Sequence, residues 1–151
     1  MNIIVKPKGS DLCYCRPDTT WERENKDFYV PDGITEIHWA PVIFVRISKA
    51  GKCISPKFVS RYYDSFNYGT LLYCRPGAGN ELISYADHTS LLPSPILGTD
   101  ELKDNEKELV EDAICKASKL ISVRIGDYVA VELDEIRQLT ESEAKEYRVI
   151  F

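Results

Sequence analysis

Residues 40–48 are the feature that most limits what this chain can fold into. They read APVIFVRIS, a nearly continuous apolar run rich in valine and isoleucine. A strand with one solvent face alternates apolar and polar side chains, whereas an unbroken apolar run is typical of a strand buried on both faces. The sequence therefore predicts an internal strand that other elements cover on each side of its sheet.

Shorter strand-like stretches surround this run. Residues 1–7, 11–17, 28–39 and 68–76 are apolar or alternating, and each is bounded by proline, glycine or polar residues. Residues 77–98 carry glycine, proline and serine throughout, so we expect a long irregular loop there.

Three segments carry helix signals. The first, 55–66, opens on Ser-Pro, a favourable start, and spaces its aromatic side chains by four: Phe58, Tyr62 and Phe66. The second, 100–121, has an apolar face comprising Leu102, Leu109, Ala113, Ile114, Ala117, Leu120 and Ile121. The third follows Thr140, which forms a capping-box pattern with Glu143. We predict one α+β domain over 1–151, mainly β, with a mixed or antiparallel sheet and two or three helices.

The negative charge of the chain is concentrated in one segment. Residues 100–112 hold seven acids and two bases, and this excess of five acids equals the net charge of −5. The remainder is balanced, so no nucleic-acid partner is expected. No stretch reaches the roughly 18 apolar residues of a membrane helix, and the first residues show no signal-peptide pattern. We therefore expect a cytoplasmic protein without a membrane partner.

The cysteines predict reduced thiols. There are five, an odd number at scattered spacings, which does not fit a disulfide framework. Cys13 and Cys15 are the one close pair. Because alternate residues of a strand point the same way, we predict two thiols packed on one strand face.

Few residues could carry chemistry. The sequence has no P-loop, no dinucleotide fingerprint and no nucleophile elbow. Tyr85, Asp87 and His88 lie together in the predicted loop, but neighbours in sequence rarely form a working triad. His38 lies in a predicted strand, where a structural role is expected. The interior-looking strands contain no acid, and a hard divalent cation needs converging carboxylates. The residues by themselves therefore predict no metal site.

Several motifs in order resemble those of a known family. EIHWAPVIFVRISKAGK at 36–52 is followed by RYYD at 61–64 and LLYCRP at 71–76. This succession resembles the fumarylacetoacetate hydrolase family, in which EIHYE-x-E leads into an apolar strand ending in KxGK. The family continues with RYYD and a strand that carries a metal-binding aspartate. The segments MNIIVKPKGSDL, ELISYADHTSLLPSP and ICKASKLISVRIGDYV are similar to further family segments.

The resemblance implies a fold and a chemistry. The fold is a β-roll or barrel, usually in a dimer. The chemistry is C–C hydrolysis, decarboxylation or isomerisation of oxo-acids, in which Mg²⁺, Mn²⁺ or Ca²⁺ holds the substrate. The cation is needed because negative charge develops on the oxo group.

This chain departs from the family where that chemistry resides. The resemblance matches the two glutamates of E-x-E to Ala40 and Val42, the metal-binding aspartate to Leu71, and a family lysine to Tyr85. With three carboxylates replaced by apolar side chains, we expect no bound cation. The sequence then predicts a non-catalytic pseudoenzyme that binds a small molecule or serves as an assembly subunit.

Two alternatives stay open at this point. One is a hydrolase, isomerase or decarboxylase of 2-oxo acids with a rebuilt site formed by Tyr85, Asp87, His88 and His38. The other is a register shifted by two residues, which would keep strand faces aligned and make Glu36 and Asp64 the metal ligands.

For assembly we expect a homodimer, or a pair with an active paralogue. Residues 40–48 or the C-terminal 147–151 are predicted near the contact, because unpaired strand edges would promote aggregation. The acidic segment 100–112 is predicted to stay on the outside.

Overall fold

The computed structural model describes residues 1–24, 26–76 and 85–151. Its strands are β1 (Asn2–Lys6), β2 (Tyr14–Pro17), β3 (Trp21–Glu22), β4 (Phe28–Tyr29), β5 (Ile34–Ile47), β6 (Tyr63–Pro76), β7 (Ser90–Leu91), β8 (Ile96–Leu97), β9 (Tyr128–Glu132), β10 (Arg137–Gln138) and β11 (Val149–Ile150). Its helices are α1 (Asp104–Ser118) and α2 (Glu141–Glu146). Among these residues, no helix has the length and apolar character that crossing a membrane requires.

β5 lies in the middle of the main sheet. Within the described ranges, nine strands form this sheet in the order β2-β1-β9-β5-β6-β7-β3, with β10 beside β5 and β8 beside β6. β5 pairs antiparallel with β6 along almost its whole length and with β9 over residues 42–46. Every apolar side chain from Ala40 to Ile47 except Pro41 is buried, which confirms the predicted internal strand. Paired on both sides, β5 has no free edge over 42–46 for a second copy.

The sheet curls into a nearly closed roll because its two end strands are consecutive in sequence. β2 lies at one end of the strand order and β3 at the other, and a single 3₁₀ turn, Asp18–Thr20, joins them. Thr20 Oγ1 lies 3.0 Å from Ser90 Oγ, and Trp21 Nε1 donates to the Leu92 carbonyl at 2.8 Å. These bonds hold the closure, and the predicted mainly β roll with two helices is confirmed.

The roll has one apolar interior and two outer apolar layers. Alternate side chains of β5 divide between the interior (Ala40, Val42, Phe44) and the layer under α1 (Ile43, Val45, Ile47). A third cluster, around Ile37 and Trp39, includes the partly buried Ala144 of α2 and a residue of each strand of the small parallel β4–β11 sheet.

The predicted helix over 55–66 is wrong. A single 3₁₀ turn, Val59–Arg61, precedes β6, and Phe66 lies within that strand opposite Val45. A spacing of four residues is also a multiple of the strand period of two, so the aromatic pattern fitted both structures. Residues 63–76 form a strand because they pair with β5 along nearly the whole segment.

α1 is shorter than the predicted 100–121, and the predicted apolar face is buried only in part, at Leu102, Ala113, Ile114 and Ala117. Val110 is fully buried, whereas Leu109, Leu120 and Ile121 are partly or largely exposed. The acids of this helix are not all solvated either. Glu106 is 7% exposed and accepts a hydrogen bond from Tyr68 Oη at 2.8 Å.

The remaining predictions have mixed outcomes. The Thr140–Glu143 capping box is present at the start of α2. Cys13 is half-buried but Cys15 is exposed, so the predicted packing of both thiols is wrong; the five cysteines are free. Residues 77–84 of the predicted loop lie outside the described residues, and β7 and β8 interrupt the rest of it.

Candidate functional site

The interior of the roll brings together the three positions that the resemblance assigns to metal ligands. Ala40 on β5 lies directly opposite Leu71 on β6, and Val42 follows two residues later on the same face. All three are 0% exposed and belong to one apolar cluster with Phe44 and Leu92. The structure therefore fills this part of the roll with hydrocarbon.

Arg16 is the largest fully buried side chain of the described residues, at 0% exposure. It lies on β2 opposite Ile3, which places it on the interior face. Its Nη2 donates to the Leu72 carbonyl at 3.0 Å. Its Nη1 lies 3.3 Å from the Thr89 carbonyl, Thr89 Oγ1 and Ser90 Oγ. The guanidinium is thus held between β6 and the segment that leads into β7.

Three tyrosine rings surround this guanidinium. Its Cζ lies 4.8 Å from the ring centre of Tyr73, 5.4 Å from that of Tyr85 and 5.7 Å from that of Tyr14. The Tyr14 and Tyr85 rings stack at 6.3 Å with an interplanar angle of 11°. Ring faces attract a cation, and the attraction grows when water is excluded. The rings therefore offset part of the cost of burying the charge.

A chain of hydroxyl groups connects Arg16 to a buried carboxylate. Arg16 Nε donates to Tyr14 Oη at 3.1 Å, Tyr14 Oη donates to Tyr73 Oη at 3.3 Å, and Tyr73 Oη donates to Glu132 Oε2. Glu132 is 5% exposed and lies directly opposite Val42. Its Oε1 accepts from the Lys8 amide at 3.0 Å.

The tyrosine in the middle of this chain is held protonated. Burial raises the pKa of Tyr73 far above its ordinary range, and Tyr14 and the Glu132 carboxylate act in the same direction. The Arg16 guanidinium opposes them but does not reverse the shift. The Tyr73 hydroxyl therefore stays neutral between the Tyr14 hydroxyl and Glu132.

Of the three candidates Tyr85, Asp87 and His88, Tyr85 alone contacts this site. Asp87 is exposed, and His88 contacts Glu22 through Nδ1 and Oε1 at 3.0 Å. The Glu22 carboxylate is almost completely buried, whereas the His88 side chain is half-exposed and its backbone has a φ of 64°. His88 lines a groove of about 450 Å³ and Glu22 lines a second of about 530 Å³.

The other candidates lie apart from one another. His38 is half-buried opposite Tyr73, and its Nε2 is 3.9 Å from Glu36 Oε2. Glu36 and Asp64 lie near opposite ends of the β5–β6 ladder, which at the usual rise per residue separates them by about 30 Å. A single ion cannot contact both, so the structure argues against the register shifted by two.

Sequence reasoning missed Arg16, Tyr14 and Glu132. Tyr14 and Arg16 alternate with Cys13 and Cys15 over β2 and the residue before it, and the prediction placed the thiols on the packed face. The one available signal was that alternation, which shows two faces but not which of them points inward.

Comparison with known proteins identifies the fold. The sequence matches no protein-family model and no curated protein. The structure matches a Yersinia pestis CO92 protein assigned to the fumarylacetoacetate hydrolase family, with a TM-score of 0.76 at 13% identity, over 92% of this chain and 83% of that one. This chain has the fumarylacetoacetate hydrolase fold.

Two further solved structures share this fold. Maleylpyruvate hydrolase from Sphingobium sp. SYK-6 matches with a TM-score of 0.74 at 13% identity, over 92% of this chain and 62% of that one. The 5-carboxymethyl-2-hydroxymuconate delta-isomerase from Mycobacterium smegmatis matches with a TM-score of 0.74 at 11% identity, over 91% of this chain and 69% of that one. At such identities the likeness shows the fold alone.

The residues in the roll do not fit the divalent cation that the fumarylacetoacetate hydrolase fold implies. Mg²⁺, Mn²⁺ and Ca²⁺ require several oxygen ligands, and the three matched positions carry alkyl groups. Across 1–24, 26–76 and 85–151, no three histidine, cysteine, aspartate or glutamate side chains are grouped closely enough to hold a metal ion. The nearby Arg16 guanidinium would also repel a cation.

Proposed function

We propose that this protein is a divergent form of the fumarylacetoacetate hydrolase fold that has lost the metal-dependent chemistry. It acts as a non-catalytic pseudoenzyme, either as a small-molecule binder or as an assembly subunit. The observation that carries the proposal is the complete burial of Ala40, Val42 and Leu71 in one apolar cluster. An enolate-stabilising cation has neither ligands nor space there.

Turnover measurements test this proposal. The purified protein is assayed with acylpyruvates and oxaloacetate in the presence of Mg²⁺, Mn²⁺ or Ca²⁺ and in the presence of EDTA. A metal-dependent hydrolase of the same fold serves as the matched positive control. We expect no divalent-dependent turnover. Turnover that EDTA abolishes and Mn²⁺ restores would contradict the proposal.

A second candidate function is 2-oxo-acid hydrolysis, isomerisation or decarboxylation with a rebuilt site. The observation that favours it is the contact between Nδ1 of the half-exposed His88 side chain and the buried Glu22 carboxylate. A carboxylate that orients an imidazole in this way is a common arrangement for a general base. Metal-independent turnover that is lost in His88→Gln but kept in Asp87→Asn would favour this candidate over the first.

The assembly role requires a partner surface. We propose a homodimer that forms near the C-terminal segment, where Tyr29, Ile150 and Phe151 are 69%, 40% and 70% exposed. Light scattering at tens of micromolar is expected to give about twice the 17.2 kDa chain mass. A monomer at that concentration would rule out a homodimer and would favour a complex with an active paralogue.

A further inference from the structure

We infer that Arg16 is a built-in cation that takes the place of the divalent metal ion in the roll. The inference rests on the proposed loss of the metal site and extends it, because it assigns the positive charge of the interior to a side chain of this chain. Four observations carry it: the position of the guanidinium, the acceptors around it, its connection to Glu132 and the segment that covers it.

The guanidinium lies beside the matched ligand positions. Its Nη2 bonds to the carbonyl of Leu72, the residue after Leu71, and its Nη1 reaches Ser90, which pairs directly with Leu71. Its Cζ is over the ring of Tyr73, which follows Leu71 on the same face of β6. Positive charge is therefore kept next to the place where a carboxylate of the family would stand.

The acceptors around Arg16 are unusual for a buried guanidinium. Among the described residues, all groups that accept its hydrogen bonds are neutral: two backbone carbonyls and three hydroxyls. Burying a charge without a directly bonded counter-charge costs several kcal/mol. Such a group persists when its surroundings compensate the charge in another way.

Glu132 provides that compensation through the two tyrosine hydroxyls. Each hydroxyl accepts from the side nearer the cation and donates toward the carboxylate, so the dipoles of Tyr14 and Tyr73 align between the two charges. Hydrogen bonds aligned in this way strengthen one another in a low-dielectric interior. Glu132 also lies opposite Val42, so the new cation and the new anion flank the matched positions.

The segment from Tyr85 to Ser90 closes the site. Tyr85 covers the guanidinium with its ring, and Thr89 and Ser90 accept from Nη1. The His88–Glu22 contact fastens this segment to β3. Arg16 is 0% exposed, so the guanidinium is shielded from solvent inside the closed roll.

A charge-rescue experiment tests the inference. Leu71→Asp and Leu71→Asn are compared by thermal unfolding in EDTA at pH 7, in the wild-type and Arg16→Met backgrounds. The two side chains have nearly the same shape, so their difference reports the effect of a negative charge at this position. Beside a built-in cation, the aspartate variant should be at least as stable as the asparagine variant. In the Arg16→Met background it should melt about 10 °C lower than the asparagine variant, as an uncompensated buried charge does.

The comparison within the wild-type background remains decisive if Arg16→Met does not fold. An aspartate variant that melts well below the asparagine variant there would overturn the inference, since no cation would then be acting at Leu71. A second measurement uses Arg16→Met, Glu132→Gln and the double variant. We expect the double variant to lose less than the sum of the single losses, whereas additive losses would contradict the connection between the two charges. Metal binding by the wild-type protein would contradict the proposed function without altering either comparison.

Discussion

Leu71→Ala measures whether the interior of the roll is closed core or an open pocket. The substitution removes three carbon atoms from a side chain that is 0% exposed. The transfer of these atoms alone is worth about 2 kcal/mol, and the cavity that remains adds to it. Leu71 is flanked by Ala40 on β5 and Ser90 on β7. These ladders prevent the backbone from collapsing into the space, so we expect a loss of about 3–4 kcal/mol, within the usual range for buried leucine.

This loss should lower the melting temperature by about 10 °C for a domain of this size. Thermal and urea unfolding followed by circular dichroism provide the measurement, and an unchanged urea m-value would show that the folded state is otherwise intact. Leu120→Ala is the matched control, because Leu120 is 73% exposed and should change stability by less than about 0.5 kcal/mol. A Leu71→Ala variant as stable as this control would refute the reasoning, since water would then already fill the interior.

Three further predictions concern the pKa of Tyr73, the cap of α2 and the absence of a bound metal ion. The pKa of Tyr73 is raised above its ordinary value of 10.0, so above pH 10 the folded state keeps a proton that the unfolded state loses. The free energy of unfolding that depends on this proton is fully present below pH 10 and falls as the pH rises above it. Tyr73→Phe should weaken this fall when unfolding is measured as a function of pH, and an unchanged profile would contradict the raised pKa. Thr140→Ala removes the hydroxyl that accepts from the Glu143 amide and should lower the melting temperature by a few degrees, whereas Ser142→Ala in the same helix should change it less. EDTA should leave the melting temperature of the wild-type protein unchanged, and a drop that Mn²⁺ reverses would point to a bound ion.

The sequence predicted the architecture because its strongest signals are local. The apolar run at 40–48 and the capping box at Thr140 each depend on neighbours within a few residues, and both are confirmed. The helix over 55–66 was wrong because spacing by four suits a strand as well as a helix, and pairing with β5 is a long-range contact. No local pattern reports such a contact.

The candidate site was harder to predict for the same reason. The matched positions Ala40, Val42 and Leu71 came from a resemblance, and the structure brings them together through strand pairing. Arg16 and Glu132 come from opposite parts of the chain and are connected through the hydroxyls of two tyrosines. Their relation depends on the register of three strand pairs, which composition and spacing do not determine.

Calorimetric titration of the wild-type protein with Mn²⁺ tests the central claim most directly. The claim is that Ala40, Val42 and Leu71 leave the roll without ligands for a divalent cation and that Arg16 supplies positive charge in its place. At tens of micromolar protein and neutral pH, we predict no binding heat above that of dilution for Mn²⁺ up to millimolar concentration. Stoichiometric binding of one Mn²⁺ per chain with micromolar affinity would contradict the account.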